Sequence, residues 1–335
     1  MPETADWLLQ GPPWVQYRTR VDLLGQAESA PEVQAARAAM LAHPQVQALL
    51  TELSDWPGPP LKRHNDASHA LHKLTFVADL GLRAGDAGVD AILARVLERR
   101  APDGPFQVVV NIDPRYGGAG VDQAGWSLCD APSVLYALAR MGLGQDARVQ
   151  AAAAHLAGPA CTPPSRRSLA GMLRENGWPC AVSPALGKFR GPGRKSDPCP
   201  YATLIALKAL AQMPEWRDGP ACRTGAEALL GLWQQRKERK PYLFGMGTDF
   251  IKLKAPLIWY DVLHVLDVLT QFPWLRPDPR LRELSDLAGS KADAQGRYTP
   301  ESVWKAWSEW DFGQKKAPST WLTLLVLRAL GRNKA

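Results

Sequence analysis

Five segments of this 335-residue chain are apolar nearly all the way round a helix: Ala70 to Leu80, Ser133 to Met141, Tyr201 to Met213, Ile258 to Phe272 and Thr320 to Leu330. A helix without a polar face must be buried on every side. Between these segments lie helices with one wet face, Pro31 to Ala42, Ala87 to Arg99, Asp146 to Ala157, Gly225 to Glu238 and Arg280 to Ala288. Buried and half-exposed helices therefore alternate. Gly81, Gly142, Pro214, Pro273 and Gly331 follow the buried ones, where a C-cap or a helix stop is expected.

An aromatic led by glycine or proline recurs in front of the later buried helices, at Gly104-Pro105-Phe106, Gly177-Trp178, Pro241-Tyr242 and Gly296-Arg297-Tyr298. From aromatic to aromatic the steps are 72, 64 and 56 residues, longer and less even than in open solenoids. Four units of loop, inner helix and outer helix fit a ring that closes on itself, because an open array of such helices would expose a large apolar patch. The expected fold is all-α, a single toroid over residues 1–335. Its clearest repeats span 103–330, and a helical segment, 1–60, packs on it.

Composition adds exclusions. Hydrophobic residues make up 46% and charged residues 22%, ordinary globular values that rule out a disordered or fibrous chain. The net charge of +7 favours anionic partners without naming one. The densest basic run, Arg236 to Lys240, ends an amphipathic pattern and suits a last helical turn. Without a helix-turn-helix, zinc-finger or RNA-binding signature, nucleic acid is not expected as a partner. Residues 1–10 lack a basic start and apolar core, and no apolar run approaches the roughly 20 residues needed to cross a bilayer, so a cytoplasmic location is expected. Five cysteines without CxxC spacing read as reduced thiols.

The succession of turn, aromatic, loop and small-residue-rich inner helix over roughly Asp103 to Leu330 resembles the repeats of bacterial-type squalene cyclases and of protein prenyltransferase β-subunits. That resemblance implies an α/α toroid, with inner helices around a lumen and outer helices around them.

Several constellations carry candidate chemistry. The basic, glycine-rich stretch from Arg190 to Tyr201 leads straight into an inner helix. Free N–H groups and the dipole of that helix start, with Arg194 and Lys195, suit an anion. The same position lowers a thiol's pKa and makes Cys199 a candidate thiolate, while Asp197 and Cys199 offer one hard and one soft metal ligand. Asp197-Pro198-Cys199 is similar to the Asp-x-Cys zinc motif of prenyltransferase β-subunits. The resemblance then implies zinc on Asp197 and Cys199, completed by Asp261 or His264 from the next inner helix. The plain alternative makes Asp197 an N-cap and Cys199 a small buried thiol.

Asp130 opens another inner helix, either as an N-cap or as a general acid or base in an apolar wall. Asp113 and Arg115 precede it in a probable loop. Asp261 and His264 share a helix face and are further catalytic candidates. Tyr201, Tyr260 and Trp126 are the candidate substrate contacts. His64, His69 and His72 with Asp66 form a histidine cluster at a solvated helix start. Trp304, Trp307 and Trp310 form a stripe that suits packing.

Three function classes follow. The first is a small-molecule enzyme, a transferase or cyclase, acting in the lumen on an isoprenoid-like or other apolar substrate with an anionic group. The second is a carbohydrate-active toroid using paired carboxylates. The third is a non-catalytic binding or scaffold protein whose lumen is filled.

Overall fold

A computed structural model describes residues 2–158, 177–187, 199–238 and 245–334. Among the described residues there are fourteen α-helices: α1 (Pro2–Leu9), α2 (Pro13–Asp22), α3 (Pro31–Ala42), α4 (Pro44–Leu53), α5 (Ala70–Leu80), α6 (Val89–Glu98), α7 (Ala131–Leu138), α8 (Ala147–Ala157), α9 (Pro200–Leu210), α10 (Pro214–Arg217), α11 (Pro220–Gln234), α12 (Val262–Leu269), α13 (Pro279–Gly289) and α14 (Thr320–Lys334). A two-stranded antiparallel ribbon, β1 (Val108–Val110) and β2 (Gln123–Gly125), sets Val108 opposite Gly125. The protein is thus mostly helical.

Local sequence explains these elements. Proline opens α2, α3, α4, α9, α11 and α13 in the first turn, where its missing N–H costs nothing. All eight residues of α7 and of α12, and all eleven of α9, are buried. In contrast, α6 buries only the stripe Val89, Ile92, Leu93, Val96 and Leu97, and α13 buries Leu281, Leu284, Ser285 and Ala288. Two helices are shorter than the apolar pattern suggests. Asp261 is extended and caps α12, so Ile258 to Tyr260 stand outside it. After α7 the chain widens into a π-turn over Ala139–Leu143, in which Gly142 takes a left-handed conformation.

The buried helices touch one another in a cycle: α2 with α5, α5 with α7, α7 with α9, α9 with α12, α12 with α14, and α14 back to α2. The half-exposed helices lie against them, α3 on α2, α4 on α5, α8 on α7 and α9, α11 on α9, and α13 on α12 and α14. The N-terminal segment does more than pack on the rest, because α2 takes a place in the cycle. One hydrophobic core runs from Leu8 to Ala329. Where the chain's two ends meet, Phe76 of α5 stands 4.7 Å from Trp307, 4.9 Å from Trp310 and 5.6 Å from Trp321, and Trp14 of α2 lies 4.9 Å from Trp310. Trp307 and Trp310 of the tryptophan stripe pack at this seam, while Trp304 lies against Lys254 and donates its indole N–H to Pro256 O (3.3 Å).

The aromatic turns repeat a specific set of bonds. Cys199 N–H donates to Trp178 O (2.7 Å), and Trp178 N–H donates to Thr203 Oγ1 (3.1 Å). In the last unit Ser319 N–H donates to Tyr298 O (3.0 Å), and Tyr298 N–H donates to Thr323 Oγ1 (2.9 Å). The spacings are identical, 21 and 25 residues after the aromatic. Gly177, at φ +100°, admits this turn, since a Cβ there would come within 2.9 Å of Thr203 Oγ1.

Charged residues tie the C-terminal halves of the cycle's helices together. Asp79 (α5) accepts the Tyr136 (α7) hydroxyl and lies 3.7 Å from Lys208 Nζ (α9), which sits 4.3 Å from the Tyr136 ring centroid. Asp267 (α12) pairs with Arg328 (α14) at 2.9 Å, and Arg328 reaches Asp22 (α2) at 3.3 Å. The six helices of the cycle therefore run in the same sense, with their C-terminal halves converging on this network. Their N-terminal ends gather on the opposite side.

Candidate functional site

At those N-terminal ends, backbone pairing brings three distant segments together. Leu128 N–H donates to Ala181 O (2.9 Å) and Ser183 N–H donates to Trp126 O (2.8 Å), which fixes Cys129 beside Cys180. The bond from Cys199 N–H to Trp178 O brings in the third thiol. Cys129 Sγ stands 3.9 Å from Cys180 Sγ and 3.9 Å from Cys199 Sγ. Cys129 and Cys199 are buried and Cys180 is half-buried; the four described cysteines, including the remote and buried Cys222, are all free.

Asp130, next to Cys129, occupies the N-cap position of α7 without capping it. Its carboxylate is fully buried and turned to other partners: Oδ1 bonds His64 Nδ1 at 2.9 Å, and Oδ2 accepts the Ser127 hydroxyl. The loop carrying His64 is held by the other two histidines. His72 Nε2 bonds His64 O (2.8 Å) and His69 Nε2 bonds Pro59 O (2.9 Å), while His69 Nδ1 accepts Leu71 N–H (3.1 Å). His69 and His72 are spent on loop anchoring, and burial holds both below the ordinary histidine pKa, His72 at about 4. His64 has a side chain 30% exposed, so it is the member of the pair that meets the surface.

The electrostatics follow from these contacts. Burial raises the Asp130 carboxyl, but the charge and hydrogen bond of His64, with the Ser127 bond, outweigh it and hold the group below the usual carboxylate range. Desolvation lowers His64, but Asp130 wins and raises it. Hydrogen bonds from Cys129 and Cys180, against the cost of burial, pull the Cys199 thiol well down, aided by Ala202 N–H and His64. Cys129 is pushed up. The cluster thus concentrates thiolate character on Cys199.

Cys199, in the N-cap position of α9, accepts Ala202 N–H at 3.4 Å, so the capping role expected of Asp197 belongs to Cys199. Asp261 caps α12 through His264 N–H (3.0 Å), and burial raises its carboxyl to about 6. His264 Nδ1 bonds Trp259 O (2.9 Å), and burial lowers this imidazole to about 3. Asp261 Oδ2 and His264 Nε2 are buried without a hydrogen-bond partner among the described residues. Tyr201 donates its hydroxyl to Ile258 O (2.9 Å) and its ring lies 4.4 Å from that of Trp259, tilted by 37°, while Tyr260 is buried 5.0 Å from Phe250. Trp126 is buried, its indole N–H on Asp103 (3.1 Å) and its ring 5.5 Å from His155 of α8. Asp113 and Arg115 pair with each other at 2.8 Å, and the Arg115 side chain is exposed.

Arg194, Lys195 and Asp197 lie outside the described residues. As the side chains stand, no group of three or more His, Cys, Asp or Glu among the described residues is arranged to hold a metal ion. An apolar pocket, lined in part by Pro105, Leu128, Ala131, Pro132, Leu135 and His155, lies between α7 and α8.

Two features of the site escaped sequence reasoning: the bond between His64 and Asp130, and the meeting of three cysteines read as separate thiols. A signal for the second existed. Cys180 and Cys199 both follow the aromatic turn Gly177-Trp178, and Cys129 stands just before the preceding buried helix, α7.

No helix among the described residues is long and apolar enough to cross a membrane. No family model matches the chain, and no curated protein matches it either.

Proposed function

We propose that this protein is an α/α toroid resembling the prenyltransferase and squalene-cyclase families, and that it is an enzyme working on a small molecule at the N-terminal end of its inner helices. The observation that carries this reading is the His64–Asp130 pair. A fully buried carboxylate that declines to cap its own helix and orients an imidazole at 2.9 Å is an arrangement for moving a proton. Asp261 and His264 add a second pair of buried polar groups, each with an open atom. The apolar pocket between α7 and α8 suits a hydrocarbon, and Arg194 and Lys195, which precede α9 in the sequence, are basic residues that suit an anionic head. The substrate class is isoprenoid-like, and the reaction is a transfer or a cyclisation.

The test is binding and turnover with geranyl, farnesyl and geranylgeranyl diphosphate, beside oligosaccharides as the competing class. His64→Gln and Asp130→Asn should lower turnover by about 10²–10⁴-fold with folding intact. Turnover of oligosaccharides instead, or prenyl diphosphate turnover that neither variant disturbs, would overturn the reading. Failure of every ligand to bind would favour the scaffold.

A further inference from the structure

We propose that Cys129, Cys180 and Cys199 together bind one zinc ion, with three thiolates at three corners of a tetrahedron and the fourth left to water or substrate. Two sulfurs on one zinc ion, each at about 2.3 Å with tetrahedral angles, stand about 3.8 Å apart. Cys129 Sγ is 3.9 Å from both of its neighbours, so two of the three separations match. As thiols the groups are turned to one another and, at Cys199, to the N–H of Ala202. Binding of the ion displaces the thiol protons, and the sulfurs have to turn about their own side-chain bonds to share one centre, because as they stand the side chains form no metal-holding group among the described residues.

The alternative is that these are small apolar residues filling space, and three observations oppose it. First, Cys222 shows what such a residue looks like in this protein, alone and fully buried on α11. The other three instead meet beside the buried carboxylate of Asp130, brought from three segments by separate backbone bonds. Second, the repeat offers a reference for Cys199. The equivalent helix start in the last unit carries Ser319, whose hydroxyl accepts Leu322 N–H at 3.1 Å, a stronger cap than the 3.4 Å bond to sulfur. Capping alone does not call for a thiol there. Third, Cys180 is half-buried, which gives an ion a way in. A soft, thiolate-only set selects zinc over magnesium or calcium.

This ligand set replaces the Asp197, Cys199 and His264 set expected from the family resemblance, sharing only Cys199 with it. It deepens the proposed function and rests on it only for the ion's role, which is to polarise or activate a group of the substrate.

Protein purified without chelator should contain about one zinc per chain, measured by elemental analysis, and cobalt exchanged for it should show thiolate-to-cobalt charge-transfer absorption. Cys129→Ser, Cys180→Ser and Cys199→Ser should each lose most of the metal, and Cys222→Ser should keep it. Should a serine variant misfold, alkylation of the wild type followed by mass spectrometry decides: zinc should protect those three thiols together, and chelator should release them together. Absence of zinc with no uptake on titration, bound iron, a disulfide within the cluster, or equal loss in Cys222→Ser would overturn the site. Metal content is read without substrate. Zinc-loaded protein that turns over no prenyl diphosphate therefore defeats the proposed reaction and leaves the ion, and zinc-free protein that turns one over does the reverse.

Discussion

Replacing Asp261 with asparagine should stabilise the protein, and only at neutral and alkaline pH. The carboxyl is fully buried, and Oδ2 has no partner among the described residues. Burial raises it from the ordinary 3.8 to about 6, against the opposing pull of Lys254, the N–H bonds of His264 and Leu263, and Lys208. The folded protein therefore holds this proton more tightly than the unfolded chain. Between about pH 4 and pH 6 unfolding releases the proton, so stability falls as pH rises through that window and is level above it. At about 1.4 kcal/mol per pH unit, the full drop is about 3 kcal/mol. Asparagine keeps Oδ1 as a cap for His264 N–H and caps about as well as aspartate, but has no charge to bury. Any cost of its amide is the same at every pH. Urea unfolding of both proteins at about pH 4, 5, 6 and 7.5 should give a difference, variant minus wild type, that rises by about 3 kcal/mol across the series. A flat difference would show that Asp261 ionises in the folded protein as it does in the unfolded chain and would refute the reasoning.

Two further substitutions test the packing. Arg328→Met removes one partner from each of Asp267 and Asp22, which keep Arg332 and Arg18, and should cost about 1.5–3 kcal/mol in urea unfolding; a loss under 1 kcal/mol would mean that the remaining arginines suffice. At Gly225 an added Cβ would lie 2.4 Å from Trp178 Cζ3 and 3.1 Å from Leu207, so Gly225→Ala should cost about 1–3 kcal/mol by overpacking, and an unchanged midpoint would mean that α11 can move away from the aromatic turn.

Much of the helical plan could be read from residue order, because all-round apolarity and a single apolar stripe are one-dimensional signals. The segments Ala70 to Leu80 and Pro31 to Ala42 coincide with α5 and α3 to the residue. Where the signal misled, a backbone competitor was at work. Ile258 to Tyr260 are apolar enough for a helix, but Asp261 takes an extended conformation and starts α12 behind them. The ribbon of β1 and β2 gave no alternation to detect, being three residues per strand. The charge network at the C-terminal halves was hidden for a different reason. Asp79, Lys208, Asp267 and Arg328 each look like a single polar interruption in an apolar run, and only their meeting explains how each is tolerated.

The candidate site divides along the same line. Asp130, Cys199, Asp261 and His264 stand out in the sequence because helix starts carry caps, thiols and carboxylates at recognisable places. Their partners do not. His64 is 66 residues from Asp130, and Cys129 is 51 from Cys180 and 70 from Cys199. No local pattern encodes such pairs. Composition and periodicity set which helices are buried and where they begin, since burial and capping act within a few residues. Which side chains face each other is set by two non-local events, the pairing of Trp126–Leu128 with Ala181–Ser183 and the docking of Cys199 on Trp178.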